Sequence, residues 1–459
     1  MEKLDNKEVP VMDSELLTKP MTGLFWKYSV LALVGILFSC LAVILDGFFM
    51  GNGVGSMALA AIAVAVIFMY FAMGLSMMLG IGGTTVAGIK LGDGDEEGAR
   101  DVYGTILVFG LIVSVVVGVL CMIFMKPLLT LLGATPDVYP YAADYAKVFF
   151  AMIPACVLGQ IAYYFCRLAE KPTPAAIFFV AGGLGAIVVE YILVFKCHWG
   201  TAASAWDFVI GLAATIFLIP YLQCTKNVFQ LSVRNLKMNF RYVADSIRIG
   251  FPMFLLQFCP MITTAVINNQ IVIQGGSDLH IAAFGIFNAY MVYVMNAFVT
   301  GFTAGMQPIA SVNYGAKANG RVRSLIKTGM IQSFIVILVV EIMVMVFANP
   351  LVEFFAGGAG ELADITVGAL RINIALFAFG SIATLVGGYY ISIGKIGLAL
   401  LNSTTRVIIF CVPLLLILPR IIGLNGVWAA QPVADAFAFV IAAICITKEY
   451  KHLGEVEKL

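Results

Sequence analysis

The sequence predicts an all-α polytopic membrane protein, with about twelve transmembrane helices in two six-helix bundles related by a pseudo-two-fold along the membrane normal. Three observations carry this. First, 61% of the 459 residues are hydrophobic and 12% are charged. A soluble domain cannot cover that much apolar surface, whereas each bilayer crossing takes about 20 apolar residues in one helix. Second, lysine and arginine gather in alternate connections. Third, the second half of the chain repeats the first.

Spans fall near 24–50, 57–80, 102–125, 142–167, 173–195 and 203–223, then near 249–274, 280–306, 328–348, 365–391, 396–419 and 424–447. The long apolar runs Ile106–Met125 and Met330–Phe347 define the third and ninth. The fourth, with Asp144 and Lys147, and the sixth, with Asp207, are the weakest. The first twenty residues mix acids and bases, and the first apolar run is too long for the core of a signal peptide.

The connections after even-numbered spans hold Lys90 and Arg100, Arg167 and Lys171, the group Lys226, Arg234, Lys237, Arg241 and Arg248, and then Arg321, Arg323 and Lys327. Lys395 follows the tenth span, and Lys3, Lys7, Lys448 and Lys458 sit near the ends of the chain. Odd-numbered spans are followed by little beyond Lys126, Lys196 and Arg420. Positive residues stay on the cytoplasmic side, so both termini are expected there, in a multi-pass protein of the cell membrane. This pattern leaves no basic surface for nucleic acid. The nine cysteines lie mostly in or beside spans, and His198, His280 and His452 are scattered, so no metal site is expected.

Sliding the chain by 223 residues superposes Gly82 on Gly305, Gly92 on Gly315, Arg100 on Arg323 and Asp46 on Asn269. Gly80–Asp95 and Gly305–Lys317 read as equivalent loops after the second and eighth spans. Copies of a six-span unit insert the same way up, which sets the symmetry axis along the membrane normal with a cavity between the copies. The expected division is an N-terminal lobe over 1–223, a cytoplasmic linker over 224–248 and a C-terminal lobe over 249–459. Gly80–Gly94 lacks a preceding strand and a Gly-Lys-Ser/Thr, so no nucleotide site or ATPase domain is expected and an ion gradient must supply the energy.

At this point the chain resembles the multidrug and toxin extrusion (MATE) transporters, within a wider flippase-related exporter superfamily. The resemblance rests on Gln307-Pro308-Ile309-Ala310 with Asn313-Tyr314-Gly315-Ala316, on Asp46-Gly-Phe-Phe-Met-Gly ending the first span, and on Gly250-Phe-Pro252. Gly426-Val-Trp428 and Pro432-Val-Ala-Asp435 complete it. It implies two six-helix bundles arranged in a V and cation-coupled export of mostly cationic organic molecules. The family's aspartate in the first helix falls on Asp46.

Asp46 and Glu190 are the foremost candidate residues for cation or proton coupling, because a carboxylate in hydrocarbon is costly and usually marks an ion or substrate path. Two readings stand for Asp46: a helix-end acid reaching the interface, or a protonatable group in the first lobe. Glu190 reads as mid-helix and has no Lys or Arg within 183–195. Two readings stand there also, a protonated core carboxyl and a coupling group. The family pattern in the fifth helix is an Asn followed four residues later by an Asp; here Ala186 and Glu190 stand in those places. One oxygen ligand is lost, which favours a proton over sodium as coupling ion.

Tyr163, Tyr164, Gln257, Asn268, Asn269 and Tyr290 are candidate cavity residues. An aromatic face attracts an organic cation by about 0.5–2 kcal/mol, although interface anchoring explains single tyrosines equally well and interhelical hydrogen bonds explain the asparagines. Arg406 and Asp435 can pair, either as a structural bridge or as a relay. The roles of Glu341, Asp207 and Asp435 stay open at this stage. The leading reading is a monomeric secondary antiporter of organic cations, without cofactor and without enzymatic activity. Its rival within the superfamily, a flippase for lipid-linked oligosaccharides, would want several cations at mid-membrane, and only Arg371 and Arg406 lie well inside spans. An intramembrane enzyme would need a His-based constellation that the spans lack.

Overall fold

The computed structural model describes residues 14–54 and 56–456; Lys3, Lys7 and Lys458 lie outside them, as do the outermost ends of the two expected terminal domains. Among the described residues the chain is helical throughout, with no strand. The long helices are α1 Met21–Gly53, α2 Ser56–Gly92, α3 Glu96–Ile123, α4 Tyr139–Leu168 and α5 Pro172–Phe195. Then come α6 Ala202–Cys224, α7 Phe240–Ile273, α8 Asp278–Gly315 and α9 Asn319–Val346. The last are α10, in the segments Glu361–Asn373 and Phe377–Ser392, α11 Ile396–Ile422 and α12 Leu424–Val456. Among the described residues eleven helices are long and apolar enough to cross a membrane, and the two segments of α10, bent by 53°, make a twelfth when counted as one broken span.

Local chemistry sets the ends and breaks. Asp95 opens α3 by accepting the Gly98 N–H at 2.8 Å, and Lys90 at 2.6 Å holds that carboxyl below its usual range. In α7 the backbone turns at Gln257–Phe258, and Pro260, which has no N–H to give, opens the second segment. Two π-helical stretches, Phe287–Val292 in α8 and Thr405–Cys411 in α11, widen their helices.

One expectation needs correction. Gly80–Asp95 and Gly305–Lys317, read as loops from their glycines, are mostly helical, because α2 runs to Gly92 and α8 to Gly315. Gln307, Pro308, Asn313 and Gly315 therefore belong to the last turns of α8. Residues 240–248, within the expected linker, are helical and run on into α7, and the segment between the long helices of the two halves is 225–239.

The glycines serve helix contact rather than turning. A Cβ on Gly92 would lie 2.0 Å from the Val312 carbonyl oxygen, and one on Gly315 would lie 2.1 Å from that of Ile89. Ile89 and Val312 are themselves 223 residues apart, so the contact is reciprocal, as a two-fold requires. Gln307 Nε2 donates to Thr84 Oγ1 at 3.1 Å, again across a separation of 223. The axis thus passes between the ends of α2 and α8. In a membrane such close backbone approach and side-chain hydrogen bonding, not apolar burial, drive helix association.

The close contacts between lobes gather in the half of the molecule that holds the termini. Gly305 of α8 abuts Ser29 of α1, Gly250 of α7 abuts the Met78 carbonyl of α2, and Arg167 of α4 donates to the Ala304 carbonyl. Farther out each lobe packs on itself. The far half of α1 lies on α5, with Gly35 against Phe179 and Gly53 against Val194. The far half of α7 lies on α11 and α12. The lobes therefore spread into a V towards the far end.

Polar straps finish the closed end. The short helix Glu15–Thr18 hangs between the lobes: Glu170 accepts from Ser14 Oγ and from the N–H groups of Glu15 and Leu16, while Asn313 and Arg321 donate to the Leu16 carbonyl at 2.9 and 3.1 Å. The linker docks on α3 through Asn235 to Asp101 at 2.7 Å and Arg100 to the Val228 carbonyl at 2.8 Å.

Candidate functional site

Four helices of the N-terminal lobe bring buried polar groups to one layer. Asp46 lies seven residues before the end of α1, Glu190 five before the end of α5, Asp207 five after the start of α6 and Tyr145 six after the start of α4. At 1.5 Å per residue, each is about 8–10 Å in from the far end. Glu190, read from sequence as mid-helix, is thus nearer the end of the bundle that opens into the V. All four are buried: Glu190 is 0% exposed, Tyr145 1%, Asp207 3% and Asp46 6%.

The carboxyls of Asp46 and Glu190 face one another, Ser204 of α6 faces Asp46, and Asp207 is within electrostatic reach of both acids. Tyr145 is in turn within reach of Asp46 and Asp207. Among the described residues, Asp46 Oδ1, both oxygens of Glu190, Asp207 Oδ1, Tyr145 Oη and Ser204 Oγ lack a hydrogen-bond partner. None of the ion pairs among the described residues involves these acids. Buried polar groups are almost always paired, so the six unpartnered atoms in this one layer mark it as a candidate site. No three His, Cys, Asp or Glu side chains among the described residues converge closely enough to hold a metal ion.

The C-terminal lobe holds its charges differently. Arg406 meets Asp435 in a fork, Nε to Oδ1 at 2.7 Å and Nη2 to Oδ2 at 3.2 Å, and Gln431 donates to Oδ1 at 2.9 Å. The guanidinium also lies over the Phe377 ring at 5.0 Å. Glu341 Oε2 accepts the Ala378 N–H at 2.7 Å, at the start of the second segment of α10. That acid satisfies a backbone donor freed by the break in the helix.

The remaining sequence candidates lie apart from the acids. Tyr163 and Tyr164 sit near the other end of α4, eighteen or more residues and about 27 Å along the helix from Tyr145. Arg167 lies over the Tyr163 ring at 5.6 Å, and Tyr164, Gln307 and Pro308 line a small cleft by the axis. Asn313 bonds the Leu16 carbonyl and receives Arg321 at 2.8 Å. Gln257 caps the first segment of α7. Asn269 is exposed on α7, whereas Asn268 is half-buried with its Oδ1 unpartnered. Tyr290 stacks on Phe355 with ring centroids 4.2 Å apart. Sequence reasoning left out Asp207, Tyr145 and Ser204 as site residues. Asp207 was visible as an acid in a span, but only its neighbours in space give it company.

A duplicated bundle of eleven or twelve membrane-length helices, closed at one end and carrying a buried acidic layer near the other, has the architecture of a membrane transporter. The MatE family model matches residues 31–192 and 249–417, one copy in each lobe, and the chain belongs to that family. It is 23% identical over 420 residues to the multidrug export protein MepA of Staphylococcus saprophyticus, covering 91% of this chain and 92% of that one. It is 24% identical over 429 residues to MepA of Staphylococcus aureus strain N315, covering 93% and 94%. Among solved structures, a MATE transporter in the straight conformation superposes with TM-score 0.90 at 20% identity, covering 96% of this chain and 98% of that one. An outward-facing multidrug resistance MATE transporter superposes with TM-score 0.89 at 19% identity, with the same coverage.

Proposed function

We propose that the protein is a secondary antiporter that exports organic cations in exchange for protons, with Asp46 and Glu190 as the coupling pair. The observation that carries this is their facing geometry in a layer without a counter-cation. Two carboxylates facing one another in a buried layer repel when both are ionised, so uptake of a proton by one of them is favoured. A positively charged guest competes for that same negative charge. From the open V, a proton enters and the cargo leaves. After the lobes rock over, the proton is released and cargo binds again. Competition at one site is sufficient for coupling.

The positive-inside pattern assigns the closed end and both termini to the cytoplasm, so the V opens outward. The drug-export names of the relatives fit an organic cargo, and the protein acts as a monomer in the cell membrane. The test is efflux of an organic cation from proteoliposomes under an imposed pH gradient, and separately under an imposed sodium gradient at equal pH. Efflux with the pH gradient alone is expected; efflux that follows only sodium overturns the proton assignment.

A further inference from the structure

We propose that the corner of the C-terminal lobe between α10, α11 and α12 is a phosphodiester site, filled in the membrane by the headgroup of an anionic phospholipid of the inner leaflet. It goes beyond the antiport reading and rests only on the orientation of the chain given with it. A cleft of about 270 Å³ opens there, lined by Tyr390 of α10, Leu398 of α11, and Ile444, Lys448, Glu449 and His452 of α12. Tyr390 lies two residues before the end of α10 and Leu398 two after the start of α11. On α12 the cleft straddles the change from Ile444-Cys445-Ile446 to Thr447-Lys448-Glu449. That boundary is the depth at which lipid headgroups meet acyl chains.

The lining divides in the same way. Leu398 and Ile444 form an apolar wall, and Ile444 is 51% exposed. Tyr390 Oη donates to the Cys445 carbonyl at 2.9 Å and ties α10 to α12. Glu449 is the acid of the lining, but Lys395 Nζ bonds both of its oxygens at 2.7 Å and answers its charge. Lys448 and His452 stand one turn apart on one face of α12. Among the described residues neither is in an ion pair. The cleft therefore offers a net positive rim above an apolar wall. A phosphodiester fits the rim, and its acyl chains fit the wall. A zwitterionic headgroup brings a second, positive centre that Lys448 repels. The first lobe does not repeat this combination. At the offset of 223, Thr225 stands opposite Lys448 and Phe229 opposite His452. Phe229 is 0% exposed and packs on Tyr103 and Phe165.

The experiment offers the full chain, purified in detergent, equal amounts of phosphatidylglycerol and phosphatidylcholine with the same acyl chains, and counts retained lipids by native mass spectrometry. Wild type is expected to retain phosphatidylglycerol over phosphatidylcholine by about fivefold or more. Lys448→Gln with His452→Gln is expected to bring that preference within about twofold of none. Lys448→Arg with His452 unchanged is expected to keep it, as is Lys451→Gln, which alters the neighbouring cation outside the cleft. No preference in wild type, or full preference in the double variant, overturns the proposal. An equal loss in Lys451→Gln also overturns it, because the effect is then general surface charge. Inorganic phosphate and glycerol phosphate, each added at the lipid concentration, separate the two sources of the anion. Retention of the lipid against both is expected, and displacement by either overturns the lipid as occupant. The readout is binding alone, so its failure leaves the antiport reading standing, and failure of pH-driven efflux leaves this site standing.

Discussion

The two lobes descend from one pattern yet treat buried charge in opposite ways. In the N-terminal lobe three acids from three helices share a buried layer and, among the described residues, none of them is in an ion pair. In the C-terminal lobe Asp435 is gripped by Arg406 and Gln431, and Glu341 is committed to a backbone N–H. The offset of 223 sets Asn269, Pro413 and Ala430 opposite Asp46, Glu190 and Asp207, so the second copy has no acid at any of the three places. A paired buried charge has its electrostatics already satisfied and resists change. An unpaired one is poised to bind. The difference teaches that one lobe leaves its buried acids open while the other commits its buried charges to partners, and on the proposed function the first exchanges charge while the second holds shape.

This contrast can be broken experimentally. The largest effect on stability is expected in the C-terminal lobe: Arg406→Ala strands Asp435 and should cost about 3–5 kcal/mol, read as a large fall in the thermal midpoint of purified protein. By contrast, Asp207→Asn or Glu190→Gln removes an unsatisfied charge and should leave that midpoint unchanged or raised. A large fall there would erase the distinction between lobes. Next in size, Gly92→Val forces a side chain against the Val312 carbonyl and should prop the closed end apart; cysteine cross-links between α2 and α8 should then form more slowly, and unchanged rates would sever the axis contact from closure. The smallest effect is expected for Glu341→Gln, whose carbonyl oxygen still accepts the Ala378 N–H, at about 1 kcal/mol or less, whereas Glu341→Ala should cost about 1–3 kcal/mol.

Much of the fold was legible in the chain, because apolar length and the Lys/Arg pattern are one-dimensional signals that the bilayer imposes. The offset of 223 was readable too, and it reappears as the Thr84–Gln307 and Gly92–Gly315 contacts. What misled was glycine. Read along the chain it signals a turn, but between helices in lipid it signals close approach, as at Gly82 and Gly305. Of the acidic layer, Asp46 and Glu190 stood out because an acid in an apolar run is conspicuous. Tyr145 and Ser204 gave no such signal, since hydroxyls are common in membrane helices. Asp207 sat in a weak span and gained meaning only from neighbours more than 150 residues away in α1 and 17 away in α5. Linear spacing does not encode which helix faces meet.

The central claim is that the unpaired acids of the first lobe exchange protons for cargo. Its most direct test is pH-driven efflux of an organic cation from vesicles holding wild type, Asp46→Asn, Glu190→Gln and the double variant. The account predicts that each single variant loses most of the proton-driven efflux and that the double variant is no worse than the poorer single one, since the two carboxyls act as a unit. Wild-type efflux from the double variant would contradict it.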